Sequence, residues 1–167
     1  MTELKNTYSS REVAAMTGLT ARQLQWWDAK RLFASHIGSR RTARGGYTER
    51  RYTPVDLLEL LVLADLRRQG FTVAQLRRLL DTLRELFRVR LFETIGGGGP
   101  LTLLTDGRAV YGRTSDGDMF NMLDDPQQPL LLIADVPDLR ELTPRAARPR
   151  RRKKPPSRSR PRSRSTA

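Results

Sequence analysis

The stretch Thr20-Ala21-Arg22-Gln23-Leu24-Gln25-Trp26-Trp27-Asp28 decides the fold that we predict from this sequence. Its first four residues fit a capping box, in which a hydroxyl and a glutamine side chain satisfy the free backbone amides of a helix start. Leu24 and Trp27 follow at i, i+3 spacing and form one apolar stripe. The stretch therefore predicts a short amphipathic helix over about residues 21–30, whose remaining faces carry Arg22, Gln23, Gln25 and Trp26.

A similar helix start lies immediately before this stretch. Ser9-Ser10-Arg11-Glu12 fits a second capping box and predicts a helix over about Ser10–Met16, with Val13 and Met16 facing inward. Gly18 follows, and glycine readily takes the positive φ that ends a helix in a tight turn. Two short helices joined by such a turn predict a helix-turn-helix, the motif that places its second helix in the major groove of DNA.

The second helix carries side chains that suit base edges and phosphates. Arginine matches guanine O6 and N7, and glutamine matches adenine N6 and N7, so Arg22, Gln23 and Gln25 are candidate base contacts. Trp26 could donate its indole N–H to a phosphate while its ring packs on sugar. The alternative is that Trp26, like Trp27, belongs to the core, and periodicity over so short a helix leaves both interpretations open.

Residues 35–52 predict a flexible basic hairpin, because they contain many arginines and almost no apolar side chain to bury. A hairpin of this kind beside a helix-turn-helix could hold the phosphate backbone. Its candidate DNA contacts are Arg40, Arg41, Arg44 and Tyr47.

Two longer helices follow the hairpin. Thr53-Pro54-Val55-Asp56 combines a capping residue with proline at the first helical position, and predicts an apolar helix over Pro54–Gln69 that forms the spine of the core. A further capping box begins at Thr72, and the helix that it starts is expected to end near Phe92.

The last of these helices contains a leucine repeat. Its leucines have 3,4 spacing over two heptads, which could pair with a second copy of the chain as a short coiled coil. The same spacing is expected of a helix that packs on its own domain, so the two interpretations stay open. The candidate dimerisation residues are Leu76, Leu79, Leu83 and Leu86.

The C-terminal part has a different composition. Gly96–Pro100 is a predicted linker, and short strands are predicted after it, with Asp106-Gly107 and Asp116-Gly117 as hairpin turns between them. The predicted strands are 101–105, 109–114, 119–123 and 130–134. Residues 144–167 contain mainly Arg, Lys, Pro and Ser, and are expected to be disordered because they cannot offset the entropy of ordering.

The sequence thus predicts a mainly α protein, in which a winged helix-turn-helix is followed by a short helix, a small antiparallel β module and a disordered basic tail. The predicted parts are a DNA-binding domain at 1–71, a dimerisation helix at 72–95, a linker at 96–100, an acidic β module at 101–143 and a tail at 144–167.

The formal net charge is +13, and it is unevenly distributed. Residues 1–90 carry a net +8, residues 91–143 a net −6 and residues 144–167 a net +11. A basic folded part with a basic tail suits a phosphate polyanion, because each neutralised phosphate releases counterions. Charge alone leaves DNA, RNA and an anionic membrane surface as alternatives.

Several other classes of protein are disfavoured. The chain has no cysteine, which excludes disulfides and thiolate metal sites. Its longest apolar run, residues 57–66, is interrupted by acidic residues and is too short to span a bilayer, and residues 1–6 do not resemble a secretory signal. We therefore expect a cytoplasmic protein. His36, the single histidine, has no carboxylate near it in sequence, so we expect neither a catalytic site nor a cofactor.

Four ordered blocks in the first half of the chain resemble the MerR family of winged helix-turn-helix transcriptional regulators. They begin with Tyr8-Ser9 before Glu12-Val13-Ala14 and continue with the stretch Thr20–Asp28. Arg50-Arg51-Tyr52-Thr53-Pro54-Val55-Asp56-Leu57 resembles the block after the family's wing, and the run from Leu66 through Gly70-Phe71-Thr72 to Leu76 resembles the next.

The resemblance implies that Arg22 and Trp26 contact DNA from the recognition helix and that Arg50 and Tyr52 contact its backbone from the wing. It also implies a homodimer that reads a pseudopalindrome in double-stranded DNA. Many members untwist a promoter so that RNA polymerase can engage it, and a contact with polymerase or another protein would fall to residues 101–143.

Three departures from the family pattern limit which roles of the family's residues can be carried over to this chain. Gln25 replaces a usual arginine, the Gly46-Tyr47 turn sits further from Tyr52 than is usual, and the helix after Thr72 is shorter than the family's dimerising coiled coil. Two other functions therefore stay open. One is an architectural or excisionase-like factor that bends DNA, and the other is an antitoxin-like protein that binds a partner through its acidic sheet.

Overall fold

The computed structural model describes residues 5–35, 39–41, 48–130 and 138–147, with the backbone alone for residues 39–41, 48 and 49. The chain forms four helices, two short helical turns and seven short strands within these ranges. None of these helices combines the length and apolarity needed to cross a membrane.

The helix starts follow the predicted caps. Helix α1 (Ser10–Thr17) begins where the Ser9 hydroxyl accepts the Glu12 N–H at 3.2 Å. Complete capping boxes start α2 (Ala21–Ala29), α3 (Pro54–Arg68) and α4 (Val73–Thr82). The predicted starts are therefore confirmed, because each cap is a local exchange of hydrogen bonds that four residues suffice to define.

The turn between α1 and α2 also follows the prediction. Gly18 has φ 76°, and its N–H donates to the Ala14 carbonyl at 3.0 Å, which closes α1. Val13 faces the core as expected, but Met16 is 38% exposed, so the prediction that it points inward was wrong. Thr17 takes the inward position one residue later and donates its hydroxyl to the Val13 carbonyl at 2.7 Å.

A three-stranded antiparallel sheet lies against this pair of helices. Strand β3 (Thr48–Tyr52) is central, with β1 (Tyr8–Ser9) on one side and β2 (Ser39–Arg41) on the other. Tyr8 pairs with Tyr52, and Ser39 pairs with Arg50. Strands β2 and β3 thus pair as the predicted hairpin requires, while the residues between them, 42–47, lie outside the described residues. Strand β3 leads directly to the cap of α3 at Thr53.

Helix α3 is the spine of the core, as predicted. Leu60, Leu63 and Leu66 are fully buried, and α3 packs on α1, α4 and the later helical turn. Two acidic residues on the same helix, Asp56 and Glu59, are also buried.

The chain leaves α4 earlier than predicted. A π-helical turn (Leu83–Phe87) extends α4, and Arg88 ends it with φ 55°, so this helix stops before residue 88 rather than near Phe92, which lies in a separate 3-10 turn (Leu91–Thr94). The Val89 N–H then bonds to the Leu83 carbonyl at 3.1 Å, and Leu91 is buried. Burial of apolar side chains after the turn favours reversal of the chain over a longer exposed helix.

Most of the predicted dimerisation seam lies inside the molecule. Leu76, Leu79 and Leu83 are each at most 1% exposed and belong to the chain's own core, whereas Leu86 is 43% exposed. These three leucines cannot pair with a second copy while the core is intact, so their assignment to dimerisation is corrected. The packing alternative holds for them because they belong to the same buried cluster as Leu60 of α3.

The C-terminal part forms a four-stranded antiparallel sheet in the order β6-β5-β4-β7. Strands β4 (Leu101–Thr105), β5 (Val110–Thr114) and β6 (Met119–Asn121) confirm three predicted strands, although two ends differ by one or two residues. Both predicted turns are present, with Gly107 at φ 89° and Gly117 at φ 92°. The Ala109 and Arg108 N–H groups bond to Asp106 and hold the pKa of its carboxyl below the usual value.

The fourth strand of this sheet is β7 (Arg140–Glu141), which sequence analysis did not predict. Leu130 of the predicted strand 130–134 is not in a strand, and residues 131–134 lie outside the described residues. Strand β7 pairs with β4 for only two residues, and Leu142 is then buried beside it. A two-residue strand has too little side-chain pattern to be found by alternation.

The second sheet shares its core with the helices. Leu101, Leu103 and Met122 belong to the same buried cluster as Leu60 and Leu83. The glycine-rich segment 96–100 makes a tight passage, in which a Cβ on Gly99 would lie 2.3 Å from the Glu93 carbonyl oxygen. The sheet is therefore packed on the helical part rather than joined to it only through a linker.

The chain end nearest the tail is held in place. The Ala147 N–H donates to the Met16 carbonyl at 2.9 Å, and Arg68 donates to the Arg145 carbonyl at 3.4 Å. The prediction of disorder from residue 144 was therefore wrong for residues 144–147, while residues 148–167 lie outside the described residues. Backbone groups make these contacts, so a composition poor in apolar side chains gives no sign of them.

Candidate nucleic-acid interface

Helix α2 separates its side chains into a buried face and an exposed face. Leu24 and Trp27 are each 3% exposed. Trp26 is 45% exposed, which rules out the alternative that it belongs to the core. The exposed predicted residues on this helix are Arg22, Gln23, Gln25 and Trp26.

Gln23 has a structural role that limits its use as a base contact. Its Oε1 accepts the Thr20 N–H at 2.9 Å, and its own N–H donates to the Thr20 hydroxyl at 3.0 Å. A bidentate contact with adenine uses both the oxygen and the nitrogen of a glutamine side chain. Gln23 therefore positions the start of α2, and Gln25 is the glutamine better suited to read a base.

The first sheet is joined to α2 by an ion pair. The Arg50 Nε on β3 donates to Oδ2 of Asp28, near the end of α2, and about a third of each side chain is exposed. The Ser35 hydroxyl also donates to the Arg51 carbonyl, which ties the base of the hairpin to the segment after α2. The predicted contact Arg50 is thus placed beside the exposed face of α2.

Tyr52 does not have the role that the resemblance implied. Its side chain is 2% exposed, and burial raises the pKa of its hydroxyl above the ordinary value, while a hydrogen bond with Ser10 acts in the opposite direction. A buried hydroxyl cannot reach a phosphate, so its assignment as a direct DNA contact is corrected. Tyr52 instead packs the end of β3 against the core, at the point where β3 pairs with Tyr8.

The remaining hairpin candidates are only partly described. Arg40 and Arg41 lie on β2, opposite Glu49 and Thr48 of β3, where the backbone alone is described. Arg44 and Tyr47 lie outside the described residues. Their proposed role rests on the sequence.

Helix α2 is also held at its C-terminal end by a contact that sequence analysis missed. The Arg77 guanidinium on α4 donates to the Lys30 carbonyl at 2.7 Å. The Leu32 N–H closes the same end by bonding to the Trp27 carbonyl at 2.9 Å. An arginine on the polar face of a helix looks like a solvated residue in sequence, so nothing in the pattern indicates this contact.

A buried acidic cluster lies behind the interface, on α3. Glu59 is 4% exposed and pairs with the Arg90 guanidinium, whose nearest distance to the Asp56 carboxylate is 3.9 Å. Arg90 also lies over the Phe92 ring, at 5.1 Å from its centroid. These contacts hold the segment after α4 against the helix that supports α1 and β3.

The described ranges contain no grouping of three or more His, Cys, Asp or Glu side chains that could bind a metal ion. The chemistry available at this surface is that of hydrogen-bond donors, cations and one exposed indole ring.

The region that carries this surface is similar to a known protein family. The model of the MerR HTH family regulatory protein matches residues 8–83, which include α1, α2, the hairpin, α3 and α4. Residues 8–83 are therefore similar to the MerR family of helix-turn-helix regulatory proteins.

Curated relatives include the uncharacterized HTH-type transcriptional regulators Mb1861 of Mycobacterium bovis and Rv1830 of Mycobacterium tuberculosis. Each is 29% identical to this chain over 136 residues, which are 81% of this chain and 56% of the relative. The chain therefore spans little more than half the length of the curated relatives that it matches. No solved structure gives a significant match.

Proposed function

We propose that this chain is a sequence-specific regulator of transcription that binds double-stranded DNA with α2 in the major groove. The observation that carries the proposal is the division of α2 between a fixed and a free face. Leu24 and Trp27 anchor the helix in the core, while Arg22, Gln25 and Trp26 face outward. An exposed tryptophan beside polar side chains favours a surface that a ligand covers.

Each exposed side chain has a role that fits its chemistry. Arg22, on the first turn, donates two hydrogen bonds to guanine O6 and N7, and Gln25 pairs with adenine N6 and N7. The Trp26 indole N–H donates to a phosphate oxygen, which fixes register without reading sequence. Gln23 supports these contacts by capping the helix on which they stand.

The hairpin formed by β2 and β3 is the wing in this proposal. Arg50 already donates its Nε to Asp28, and the four other N–H donors of a guanidinium leave it able to bind a phosphate as well. Arg40, Arg41, Arg44 and Tyr47 add phosphate contacts along the hairpin.

We further propose that two copies bind one pseudopalindromic site. The contact between them requires a surface other than Leu76, Leu79 and Leu83, which are buried within one chain. Leu86 is exposed next to Phe87, which packs edge-on against Phe120 of β6 at 5.6 Å, so this corner is the candidate. Contacts with RNA polymerase or another protein are assigned to the acidic residues 101–143.

Selection of random duplexes by the purified chain tests the proposal. At about physiological salt, where nonspecific phosphate binding is partly screened, a pseudopalindromic motif is expected. Enrichment of DNA without any motif would contradict sequence-specific reading and would favour an architectural function.

A matched pair of variants tests the role of α2. Arg22→Ala is expected to relax the preferred base at one position of each half-site, with a loss of about 1–3 kcal/mol in discrimination. Arg84→Ala removes an arginine that is 73% exposed in the π-helical turn after α4 and serves as the control. If both variants select the same motif as the parent chain, α2 does not read sequence through Arg22.

A further inference from the structure

The last described residues lie on the turn of the helix-turn-helix. The Arg68 guanidinium joins the Thr17 carbonyl at 2.7 Å to the Arg145 carbonyl at 3.4 Å. A Cβ on Gly18 would lie only 2.9 Å from the Ala147 Cβ, so the two segments are in close contact. With the hydrogen bond from Ala147 to Met16, these contacts fix residues 145–147, which we call the C-terminal anchor.

The anchor lies beside the start of α2. Gln23, on the first turn of α2, lines the same cleft as Gly18 and residues 145–147. Helix-turn-helix proteins present the N-terminal part of the second helix to the bases. If α2 binds DNA as proposed, Ala147 therefore lies close to the bound duplex.

The sequence that follows Ala147 is a polycation. Residues 148–167 contain ten Lys and Arg residues and no acidic residue. A segment of that length spans at most about 70 Å when extended, or roughly two turns of B-DNA. Because the tail is attached at Ala147, close to the duplex, its effective concentration is high at the nearest phosphates and much lower at distant sites.

We propose that the C-terminal anchor directs residues 148–167 onto the phosphates that flank the half-site bound by α2 of the same chain. This inference rests on the proposed function. The other polyanionic destination is the acidic sheet, but the chain has already left that sheet after β7 and is tied to α1 at Met16 before the tail begins. The anchor thus gives a tail without sequence preference a defined place on the DNA.

Directed cleavage of DNA tests this proposal. Since the chain has no cysteine, Ser157→Cys provides a single attachment point for an iron chelate that cleaves nearby DNA through hydroxyl radicals. The probe is an end-labelled duplex of the motif recovered by selection. Cleavage is expected on the flanks of each half-site, within about one helical turn of its edge.

Two substitutions at one position separate the anchor from the tail's charge. Ala147→Pro removes the N–H that bonds to Met16, whereas Ala147→Ser keeps both that N–H and the Cβ and is the control. Both variants keep every charge of the tail. With Ala147→Pro the cleavage on the flanks is expected to fall about threefold and to spread along the duplex, because the tether is longer and its origin is free.

The outcomes distinguish the two proposals. Cleavage that is equally localised in the parent chain and in Ala147→Pro would overturn the role of the anchor while the DNA-binding function stands. If selection yields no motif, a benzophenone is attached instead to the thiol introduced by Ser157→Cys and is crosslinked in the presence of a mixed-sequence 30-bp duplex. Adducts with DNA then support the destination of the tail, and adducts with residues 101–143 overturn it.

Discussion

The Arg50 guanidinium on β3 pairs with the Asp28 carboxylate near the end of α2, so one ion pair joins the hairpin to the helix that is proposed to read bases. Both side chains are about one-third exposed, which places the pair at the edge of the interface rather than in the core. At such a position the pair contributes less to stability than to orientation, because exposed ion pairs contribute only about 0–1 kcal/mol.

Asp28→Asn is accordingly expected to weaken DNA binding severalfold while it lowers the free energy of unfolding by less than about 1 kcal/mol. Duplex titration and urea denaturation measure the two effects. Asp81→Asn breaks a more exposed pair, between Asp81 of α4 and Arg84 of the π-helical turn that follows it, and is the control. A variant Asp28→Asn that binds DNA as tightly as Asp81→Asn would show that the pair does not orient the hairpin.

The two adjacent tryptophans are expected to respond in opposite ways. Trp27→Ala removes a side chain that is 3% exposed and should lower the free energy of unfolding by about 3–5 kcal/mol. Trp26→Ala should change it by less than about 1 kcal/mol, since its side chain is 45% exposed, and should instead weaken binding to all duplexes alike. Intact DNA binding by a folded Trp26→Ala variant would remove Trp26 from the interface.

Arg90→Met is expected to destabilise the fold, because it removes a cation that pairs with the buried carboxylate of Glu59 and lies 3.9 Å from that of Asp56. A loss of about 2 kcal/mol or more in the free energy of unfolding is the expected size for breaking such a pair. Adding Glu59→Gln to Arg90→Met should restore part of the loss, since it removes the buried charge that pairs with Arg90 in the parent chain. Equal stability of the single and the double variant would contradict this account.

Tyr52→Phe tests the correction made to the interface. The variant should bind DNA nearly as well as the parent chain, because the hydroxyl is buried against Ser10 and faces no phosphate. Burial also raises the pKa of Tyr52 in the folded state, so the folded chain keeps this proton at pH values where the unfolded chain releases it. The stability due to this shift is present below pH of about 10 and is lost as pH rises through the folded pKa.

Denaturation of Tyr52→Phe between pH of about 8 and 11 should therefore show a weaker decline than that of the parent chain, with burial of Tyr111 accounting for part of the remainder. A large loss of DNA affinity at neutral pH would instead return Tyr52 to the set of direct contacts.

Truncation after Ala147 should flatten the dependence of DNA affinity on salt and leave the selected motif unchanged. The tail removed carries ten positive charges, and each phosphate that it neutralises contributes about 0.9 to the slope of log affinity against log salt. A decrease of roughly 4 to 9 in that slope is expected if half or more of these charges bind phosphate. A change in the selected motif would mean that the tail reads sequence.

Local chemistry made the N-terminal half of the fold predictable. The caps at Thr20, Thr53 and Thr72 and the turn at Gly18 are defined by residues within a few positions of each other, and the structure has them where the sequence predicts them. The exposure of Trp26 was left open, because one turn of helix does not fix the direction of a second tryptophan.

The parts that could not be predicted depend on contacts between distant segments. A leucine repeat at Leu76, Leu79 and Leu83 has the same spacing whether its partner is a second chain or the chain's own core. The end of the helix before Arg88 depends on what residues 89–91 can bury, and the C-terminal anchor depends on backbone groups whose partners lie far away in the sequence, as Met16 does from Ala147. Side-chain patterns carry little information about which distant segment a helix packs on or about which backbone groups pair over long separations.

The shared core has a practical consequence for anyone who wishes to transplant the helix-turn-helix of this chain into another protein. Leu101, Leu103 and Met122 of the second sheet belong to the same buried cluster as Leu60 and Leu83. A fragment that ends at the glycine-rich segment would therefore expose apolar side chains that are buried in the whole chain. The smallest portable unit is therefore the whole described body up to Ala147, and the glycines at 96–99 are a poor place for a fusion junction.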